Sequence, residues 1–218
     1  MTFEVLTTVT CRWSIRNIVA LREKQAAYAL VDVATDAGKA PWFLALTPFG
    51  KTPGLRHAGA VVVESQHINE YIDAAAPGRT LLPADPLRRT WARIWNGYCD
   101  DVLMRGIYHL TSAAGAAERT DALEHFDRAL ARADAHVFQH AAGTHALWGG
   151  ERPGLTDICY WTLFDVLARI DSLADARDRL ERHPALRRWS AQLLAHPRFR
   201  DAEAELAAMP AGSTEGTH

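Results

Sequence analysis

A cysteine and a serine stand where the first segment with helical periodicity begins, in the order Cys11-Arg12-Trp13-Ser14. Unpaired backbone N–H groups and the positive end of the helix dipole stabilise an anion at such a position. A thiol there is favoured as the thiolate, which is the nucleophilic form of cysteine. Arg12 and Arg16 add positive charge that acts in the same direction. The pattern indicates thiol chemistry, with a buried packing role as the alternative for a single cysteine.

Alternating short strands and helices surround this helix start. Strands are predicted at 3–6, 28–33 and 60–63, and the turn at 52–55 leads into a further strand that pairs with 60–63 across 57–59. Helical segments are predicted from Cys11 to Lys24 and from Glu64-Ser65 onward, with a short apolar segment at 42–46 between them. The order β-α-β-α-β-β-α, within about 75 residues, is typical of a thioredoxin-like α/β domain.

A proline-rich segment separates this region from an all-helical one. Residues 76–86 contain three prolines and a glycine, which is typical of a linker. Helical periodicity then follows at 87–109, 118–141, 155–170, 173–182 and 184–195. We therefore predict a thioredoxin-like domain at 1–76, a linker at 77–86, an all-helical domain at 87–205 and a disordered tail at 206–218.

Composition excludes several classes of function. The net charge of −2 gives no basic excess for a nucleic-acid partner, and no apolar run approaches the roughly 20 residues of a membrane span. The three cysteines are too scattered for a disulfide framework, so a cytoplasmic location is expected. His136 and His140 lie one helical turn apart, but no third ligand stands near them, so no metal is predicted.

Four motifs carry a resemblance to the cytosolic glutathione transferases. The segment 43–55 resembles the family's "NP-x-G-x-VP-x-L" motif, with Thr47 in place of Asn and Thr52 in place of Val. Residues 64–73 match the helix start "ES-x-x-I-x-EYL", and 82–86 match the linker. Residues 149–157 resemble the start of the C-terminal-domain helix that holds an internal Asp. The resemblance implies the glutathione transferase fold, α/β plus all-α, and a homodimer.

Within that family the motifs are similar to the omega and dehydroascorbate-reductase-like classes. Cys11 falls where these classes place a catalytic Cys and where the tau and zeta classes place a Ser. Lys39-x-x-Trp42 and Trp161 are also omega-like, whereas Arg12 stands where omega has Pro. Ser14 occupies the position at which some other classes carry their Cys. The resemblance implies glutathione as a substrate, without a metal.

The resemblance also assigns binding residues. Glu64 would pair with the γ-glutamyl ammonium of glutathione, while the Ser65 hydroxyl and the helix N-terminal amides would hold the neighbouring carboxylate. A cis bond between Thr52 and Pro53 would present the Thr52 backbone to the cysteinyl residue of glutathione. Lys39, or alternatively Lys51, would reach the glycyl carboxylate.

Two catalytic routes and one non-catalytic role follow. In the first route the Cys11 thiolate attacks a glutathionylated substrate and holds glutathione as a mixed disulfide, with Ser14 as a hydrogen-bond donor. In the second, Ser14 stabilises the thiolate of glutathione for attack on an electrophile. A small apolar or aromatic acceptor would face Trp13, Tyr108 and Trp161. The third alternative is a protein of this fold that binds ligands or partners without turnover.

Overall fold

The computed structural model describes residues 2–36, 38–141 and 147–210. Its contacts divide the chain into two compact units, one made of residues 1–81 with the chain from Pro197 onward, the other of Leu82–His196. The predicted domain boundaries differ from this division at the C-terminal end, because a helix that begins at Pro197 belongs to the first unit. The predicted tail is helical as far as Ala207, and residues 211–218 lie outside the described residues.

The first unit has a four-stranded mixed sheet. Its strands are β1 (Phe3–Thr7), β2 (Tyr28–Asp32), β5 (Gly54–His57) and β6 (Ala60–Val63), and a two-stranded ribbon is formed by β3 (Ala34–Thr35) and β4 (Gly38–Lys39). The sheet order is β2-β1-β5-β6, with β1 and β2 parallel and the other pairs antiparallel. This is the predicted thioredoxin-like arrangement, to which the ribbon adds a pairing that was not predicted.

Four helices accompany this sheet: α1 (Arg12–Glu23), α2 (Pro41–Leu46), α3 (Ser65–Ala75) and α10 (Pro197–Ala207). Helix α1 is buried along most of its length, and Ile15, Ile18 and Val19 have no exposed surface. Helices α3 and α10 both pack against α1. Because burial of apolar side chains is the main stabilising term, α1 is the central helix of this unit.

Ion pairs connect α10 to α1. The Arg12 guanidinium pairs with the carboxylate of Glu203, and Arg22 donates to Glu205 at 2.6 Å. The Tyr28 hydroxyl donates to the same Glu205 carboxylate, also at 2.6 Å. These contacts explain why residues 197–205, which were expected within the all-helical domain, belong to the first unit instead.

The second unit is helical, as predicted. It contains α4 (Pro86–Tyr98), α5 (Arg105–Ser112), α6 (Ala116–His136), α7 (Leu155–Arg169), α8 (Ala174–Leu180) and α9 (Pro184–Ala195), with a π-helical segment at Cys99–Met104 and 3₁₀ turns at Val137–His140 and Asp171–Leu173. Every residue of α7 from Leu155 to Leu167 is buried. Within the described part of the chain, no helix is long and apolar enough to cross a membrane.

The Asp157 carboxylate organises the start of α7. It accepts hydrogen bonds from the backbone N–H groups of Trp148 (2.7 Å), Gly149 (2.7 Å) and Gly154 (2.9 Å), and from the Trp189 indole N–H at 2.8 Å. Gly154 is the N-cap, and the bond from its backbone N–H to Asp157 at N3 is the half of a capping box that needs no N-cap side chain. Burial raises the pKa of Asp157, while the four donors act in the opposite direction.

Candidate functional site

A cavity of about 880 Å³ lies in the first unit. It is bordered by residues that follow β1, residues around the β3–β4 ribbon, the 49–53 turn and the start of α3. Eight of the predicted site residues line it: Cys11, Trp13, Lys39, Lys51, Thr52, Pro53, Glu64 and Ser65. Folding therefore brings together segments that are more than 50 residues apart in the chain.

Cys11 is the N-cap residue of α1. Its backbone is extended, its N–H donates to the Thr8 carbonyl at 3.0 Å, and its carbonyl accepts from the Ser14 N–H at 3.1 Å. The thiol makes no capping hydrogen bond, and the residue is 9% exposed. Cys11 thus lies at the positive end of α1 and lines the cavity.

Ser14 lies in a different environment from Cys11. It is fully buried, and its hydroxyl oxygen lies 2.5 Å from that of Thr7 at the end of β1. Ser14 does not appear among the described residues that line the cavity. A buried hydroxyl already engaged with the sheet is poorly placed to contact a ligand, which favours Cys11 over Ser14 as the reactive residue.

The two arginines that follow Cys11 in the chain have partners elsewhere in the first unit. Arg12 pairs with the Glu203 carboxylate, which offsets its positive charge. Arg16 is fully buried and donates to the Ser65 hydroxyl at 3.3 Å. Arg16 thereby joins α1 to the start of α3.

Ser65 is held in position from α1. The Asn17 side-chain amide donates to the Ser65 carbonyl at 2.9 Å and to the Asn69 amide oxygen at 2.7 Å. Both asparagines are fully buried, so the two hydrogen bonds that the Asn17 amide donates are shielded from water. Glu64 precedes Ser65 with a φ of 69°, a left-handed conformation that is uncommon for a non-glycine residue. Its exposed side chain lies at the cavity.

The 39–53 region forms the other side of the cavity. The Thr52–Pro53 peptide bond is cis, as the family resemblance implied. The Lys39 ammonium donates to the Gly50 carbonyl at 2.8 Å, and Lys51 is exposed. Both lysines line the cavity, so either can reach an anionic group bound there.

The three aromatic residues predicted for the acceptor differ in exposure. Trp13 is 39% exposed and lines the cavity. Tyr108, on α5, is 67% exposed. Trp161 is 1% exposed within α7, so it is a core residue, and its predicted place on an acceptor wall is not supported.

Sequence reasoning missed several cavity residues. Thr8 and Thr10 lie in the turn between β1 and α1, and Phe49 is 59% exposed in the turn after α2. The threonines were identified only as turn residues. Phe49 could have been identified as a cavity residue because it lies between Pro48 and Gly50, within a segment that carries a family motif.

A second cavity, of about 540 Å³, lies in the helical unit between the α4–α5 region and α6. Its walls combine apolar residues such as Val102 and Phe126 with charged residues of both signs, among them Asp101 and Arg132. None of the predicted site residues lines it. The chemistry suggested by the sequence therefore belongs to the cavity of the first unit.

Comparisons with known proteins decide the family. Models of the glutathione S-transferase N-terminal and C-terminal domains match residues 10–75 and 116–192. Glutathione S-transferase U14 of Arabidopsis thaliana is 32% identical over 193 residues, which cover 86% of this chain and 79% of that protein. This chain belongs to the glutathione S-transferase family. Glutathione is therefore its substrate, and the matched N-terminal range contains Cys11 and the cavity segments that follow it.

Solved structures confirm the fold of this glutathione S-transferase. The tau-class enzyme MiGSTU from mango, Mangifera indica, has a TM-score of 0.78 at 24% identity and covers 94% of this chain and 96% of its own. Glutathione transferase Omega 3C from Trametes versicolor also has a TM-score of 0.78, at 19% identity. The match covers 93% of this chain and 89% of the Trametes chain. Because two classes match equally well, the fold does not distinguish omega from tau.

Proposed function

We propose that this glutathione S-transferase is a thiol transferase in which Cys11 is the nucleophile. The observation that carries the proposal is the contrast within the Cys11-x-x-Ser14 motif. The thiol borders the cavity at the N-terminus of α1, whereas the serine hydroxyl is buried against Thr7. Only the first of these groups is available to a bound substrate.

Glutathione would bind across the cavity in an orientation set by its charges. The exposed Glu64 carboxylate would pair with the γ-glutamyl ammonium, and the α3 N-terminus with Ser65 would receive the adjacent carboxylate. The backbone of Thr52 would pair with the cysteinyl residue, next to Pro53. Lys51, with Lys39 behind it, would attract the glycyl carboxylate. This pose would bring the glutathione sulfur to the Cys11 side of the cavity.

The reaction would proceed in two disulfide exchanges. The Cys11 thiolate attacks the glutathione sulfur of a mixed disulfide, and the substrate leaves as a thiolate that takes up a proton. A second glutathione thiolate then attacks the sulfur of the enzyme-bound glutathione. This step releases glutathione disulfide and restores the Cys11 thiolate. In sum, one mixed disulfide and one glutathione give one thiol and one glutathione disulfide.

Other features complete the proposal. Reduction of dehydroascorbate fits the same site, since two glutathiones supply the two electrons and two protons that it needs. Trp13 is an exposed aromatic residue at the cavity and would contact an apolar acceptor. The homodimer typical of this family would be the assembly.

Conjugation of glutathione to an electrophile is the second candidate function. Similarity to the U14 protein and to the tau-class mango enzyme favours it. In this reaction Cys11 or Ser14 would donate a hydrogen bond to the glutathione thiolate and would form no covalent intermediate. The burial of Ser14 argues against its part in this route. Binding without turnover is the third alternative.

The test compares wild type, Cys11→Ser and Ser14→Ala in two assays: glutathione-dependent reduction of a small mixed disulfide, and conjugation to an aryl halide. We expect Cys11→Ser to lower the reduction to the uncatalysed rate, because a hydroxyl forms no mixed disulfide under these conditions. Ser14→Ala should retain reduction within about threefold, since its hydroxyl does not face the cavity. Glutathione titration of each variant serves as the control for a folded binding site.

Other results would reverse these assignments. If Cys11→Ser still reduces the mixed disulfide, the assignment of Cys11 as the nucleophile is wrong. Conjugation in wild type that disappears only in Ser14→Ala would support the second candidate with Ser14 as donor. Glutathione binding without either activity would identify a binding protein.

A further inference from the structure

Two thiols and a carboxylate meet inside the helical unit, among residues that have no part in the proposed reaction. Cys99 and Cys159 are fully buried, and Asp100 is half-buried. The two sulfur atoms and a carboxylate oxygen of Asp100 all lie within 4.8 Å of one another. The cysteines are 60 residues apart in the chain, so their spacing in the sequence does not predict that they lie together.

Two helical segments provide these groups. Cys99 and Asp100 begin the π-helical segment that follows α4, and Cys159 lies in the second turn of α7. The Cys159 sulfur lies 3.8 Å from an Asp100 carboxylate oxygen and 3.7 Å from the Asn96 carbonyl, and the Cys99 sulfur lies 3.9 Å from the Cys159 carbonyl. Thiol hydrogen bonds of this length are weak.

We propose that Cys99, Asp100 and Cys159 form a binding site for a thiophilic divalent cation, Zn²⁺ or Cd²⁺. A tetrahedral zinc ion has metal–sulfur bonds of about 2.3 Å and metal–oxygen bonds of about 2.0 Å, which place its ligand atoms roughly 3.5 to 3.8 Å apart. The separation between Cys159 and Asp100 already has this size. Only small side-chain movements are therefore needed to close the three ligands around one ion.

The chemistry of the donors selects the class of ion. Thiolates favour soft or borderline cations over Mg²⁺ and Ca²⁺, which prefer oxygen ligands. Binding replaces the two thiol protons by one dication, so two protons are released for each ion bound. The Asp100 carboxylate adds a third anionic ligand and, being half-buried, connects the sulfur pair to the surface.

Asn96 fits the fourth ligand position. It lies one helical turn before Asp100, and its carbonyl contacts the Cys159 thiol, so the residue is next to the cluster. Its side chain is buried, and neither its amide oxygen nor its amide nitrogen has a hydrogen-bond partner in the described structure. Buried amides normally have partners. The amide oxygen of Asn96 would complete a tetrahedral set of two sulfurs and two oxygens.

The test uses the full chain with the Cys11→Ser change, so that Cys99 and Cys159 are its only thiols. Cd²⁺ is titrated while the ultraviolet charge-transfer band of cadmium thiolates and the release of protons are recorded, and Zn²⁺ is then added as a competitor. We expect saturation at one Cd²⁺ per chain with two protons released. Zn²⁺ should remove the band by displacing the cadmium.

Single changes in this background identify the ligands. Asp100→Asn, which keeps the shape of the side chain, should weaken Cd²⁺ binding by about tenfold or more. The matched control is Asp101→Asn, which alters the neighbouring exposed carboxylate and should leave binding unchanged. Cys159→Ala should remove the band.

Several outcomes would overturn the proposal: absence of the band in the parent chain, its persistence in a Cys99→Ala/Cys159→Ala variant, or equal effects of the Asp100 and Asp101 changes. Asp100→Asn decides the question even where a cysteine variant fails to fold.

Discussion

The hydroxyl oxygens of Thr7 and Ser14 lie 2.5 Å apart, and both side chains are fully buried. This hydrogen bond joins the end of β1 to the first turn of α1. It therefore fixes the strand–helix connection on which Cys11 lies. The Ser14 hydroxyl is thus engaged with the sheet, whereas Cys11 of the same motif lines the cavity.

Ser14→Ala should lower the free energy of unfolding by about 1 to 2 kcal/mol, because a buried hydrogen bond is lost and the Thr7 hydroxyl loses one partner. Thiol transfer should change little. Urea unfolding followed by tryptophan fluorescence measures the first effect, and steady-state kinetics the second.

Thr7→Val supplies the matched control for this pair. The double variant Thr7→Val/Ser14→Ala should be less destabilised than the sum of the single changes, by at least about 0.5 kcal/mol. Strict additivity would mean that the two hydroxyls do not interact.

Asn17→Ala should weaken glutathione binding as well as stability. The Asn17 amide holds the Ser65 carbonyl at 2.9 Å and thereby the start of α3, where the glutathione carboxylate is proposed to bind. A loss of about 1 kcal/mol in the free energy of glutathione binding corresponds to roughly a fivefold weaker affinity. Isothermal titration with glutathione measures this change.

Asn69→Ala separates the two roles of Asn17. It removes the 2.7 Å bond between the amides but leaves the bond to the Ser65 carbonyl. We expect lower stability with nearly unchanged glutathione affinity. Equal losses of affinity in both variants would show that general destabilisation, and not the position of Ser65, controls binding.

Asp157→Ala should lower the free energy of unfolding by about 3 to 5 kcal/mol, because four N–H groups, three of them buried, lose their acceptor. Thermal unfolding is the measurement.

Thr156→Val is the control beside it. Thr156 is also buried, but its hydroxyl has no partner in the described structure, so its removal should cost little. A comparable loss from both changes would contradict a special role for the Asp157 carboxylate.

Stability at high pH should depend on Tyr28. Burial, together with the hydrogen bond that Tyr28 donates to Glu205, raises the pKa of Tyr28 to about 12 from an ordinary 10.0, although Arg22 acts in the opposite direction. Because the folded pKa is the higher one, this stabilisation is fully present below pH 10 and is lost as pH rises towards 12.

Tyr28→Phe should therefore be less stable than wild type at pH 8, and the difference should shrink above pH 10. Urea unfolding at several pH values measures it. Tyr71→Phe, which instead breaks the 2.9 Å contact with the His57 ring, is the control at pH 8 for the loss of a phenolic hydroxyl. If the difference in the free energy of unfolding between wild type and Tyr28→Phe stays constant up to pH 11, the pKa of Tyr28 is not raised in the folded protein.

Local sequence patterns determined much of this protein. Alternating strand and helix periodicity predicted the thioredoxin-like sheet, and the long helical segments predicted the second unit. The segments that form the cavity, at Cys11, at 39–53 and at Glu64-Ser65, were also identified from motifs, because each one needs particular residue types at neighbouring positions. Features that depend only on neighbouring residues can be predicted from the amino-acid sequence alone.

Long-range contacts decided the rest. Cys11 and Ser14 are three residues apart, so helical periodicity places them on nearly the same side of α1. Only the tertiary structure shows that Cys11 lines the cavity while the Ser14 hydroxyl contacts Thr7. The burial of Trp161 depends on the helices around α7.

The same holds for pairings between distant segments. Helix α10 joins α1 through Glu203 and Glu205, and Cys99 meets Cys159 across 60 residues. The sequence determined which side chains were present and which local elements they form. The tertiary structure decided which of them face solvent and which face each other, because these contacts depend on how helices and strands pack and not on the spacing of residues within any one of them.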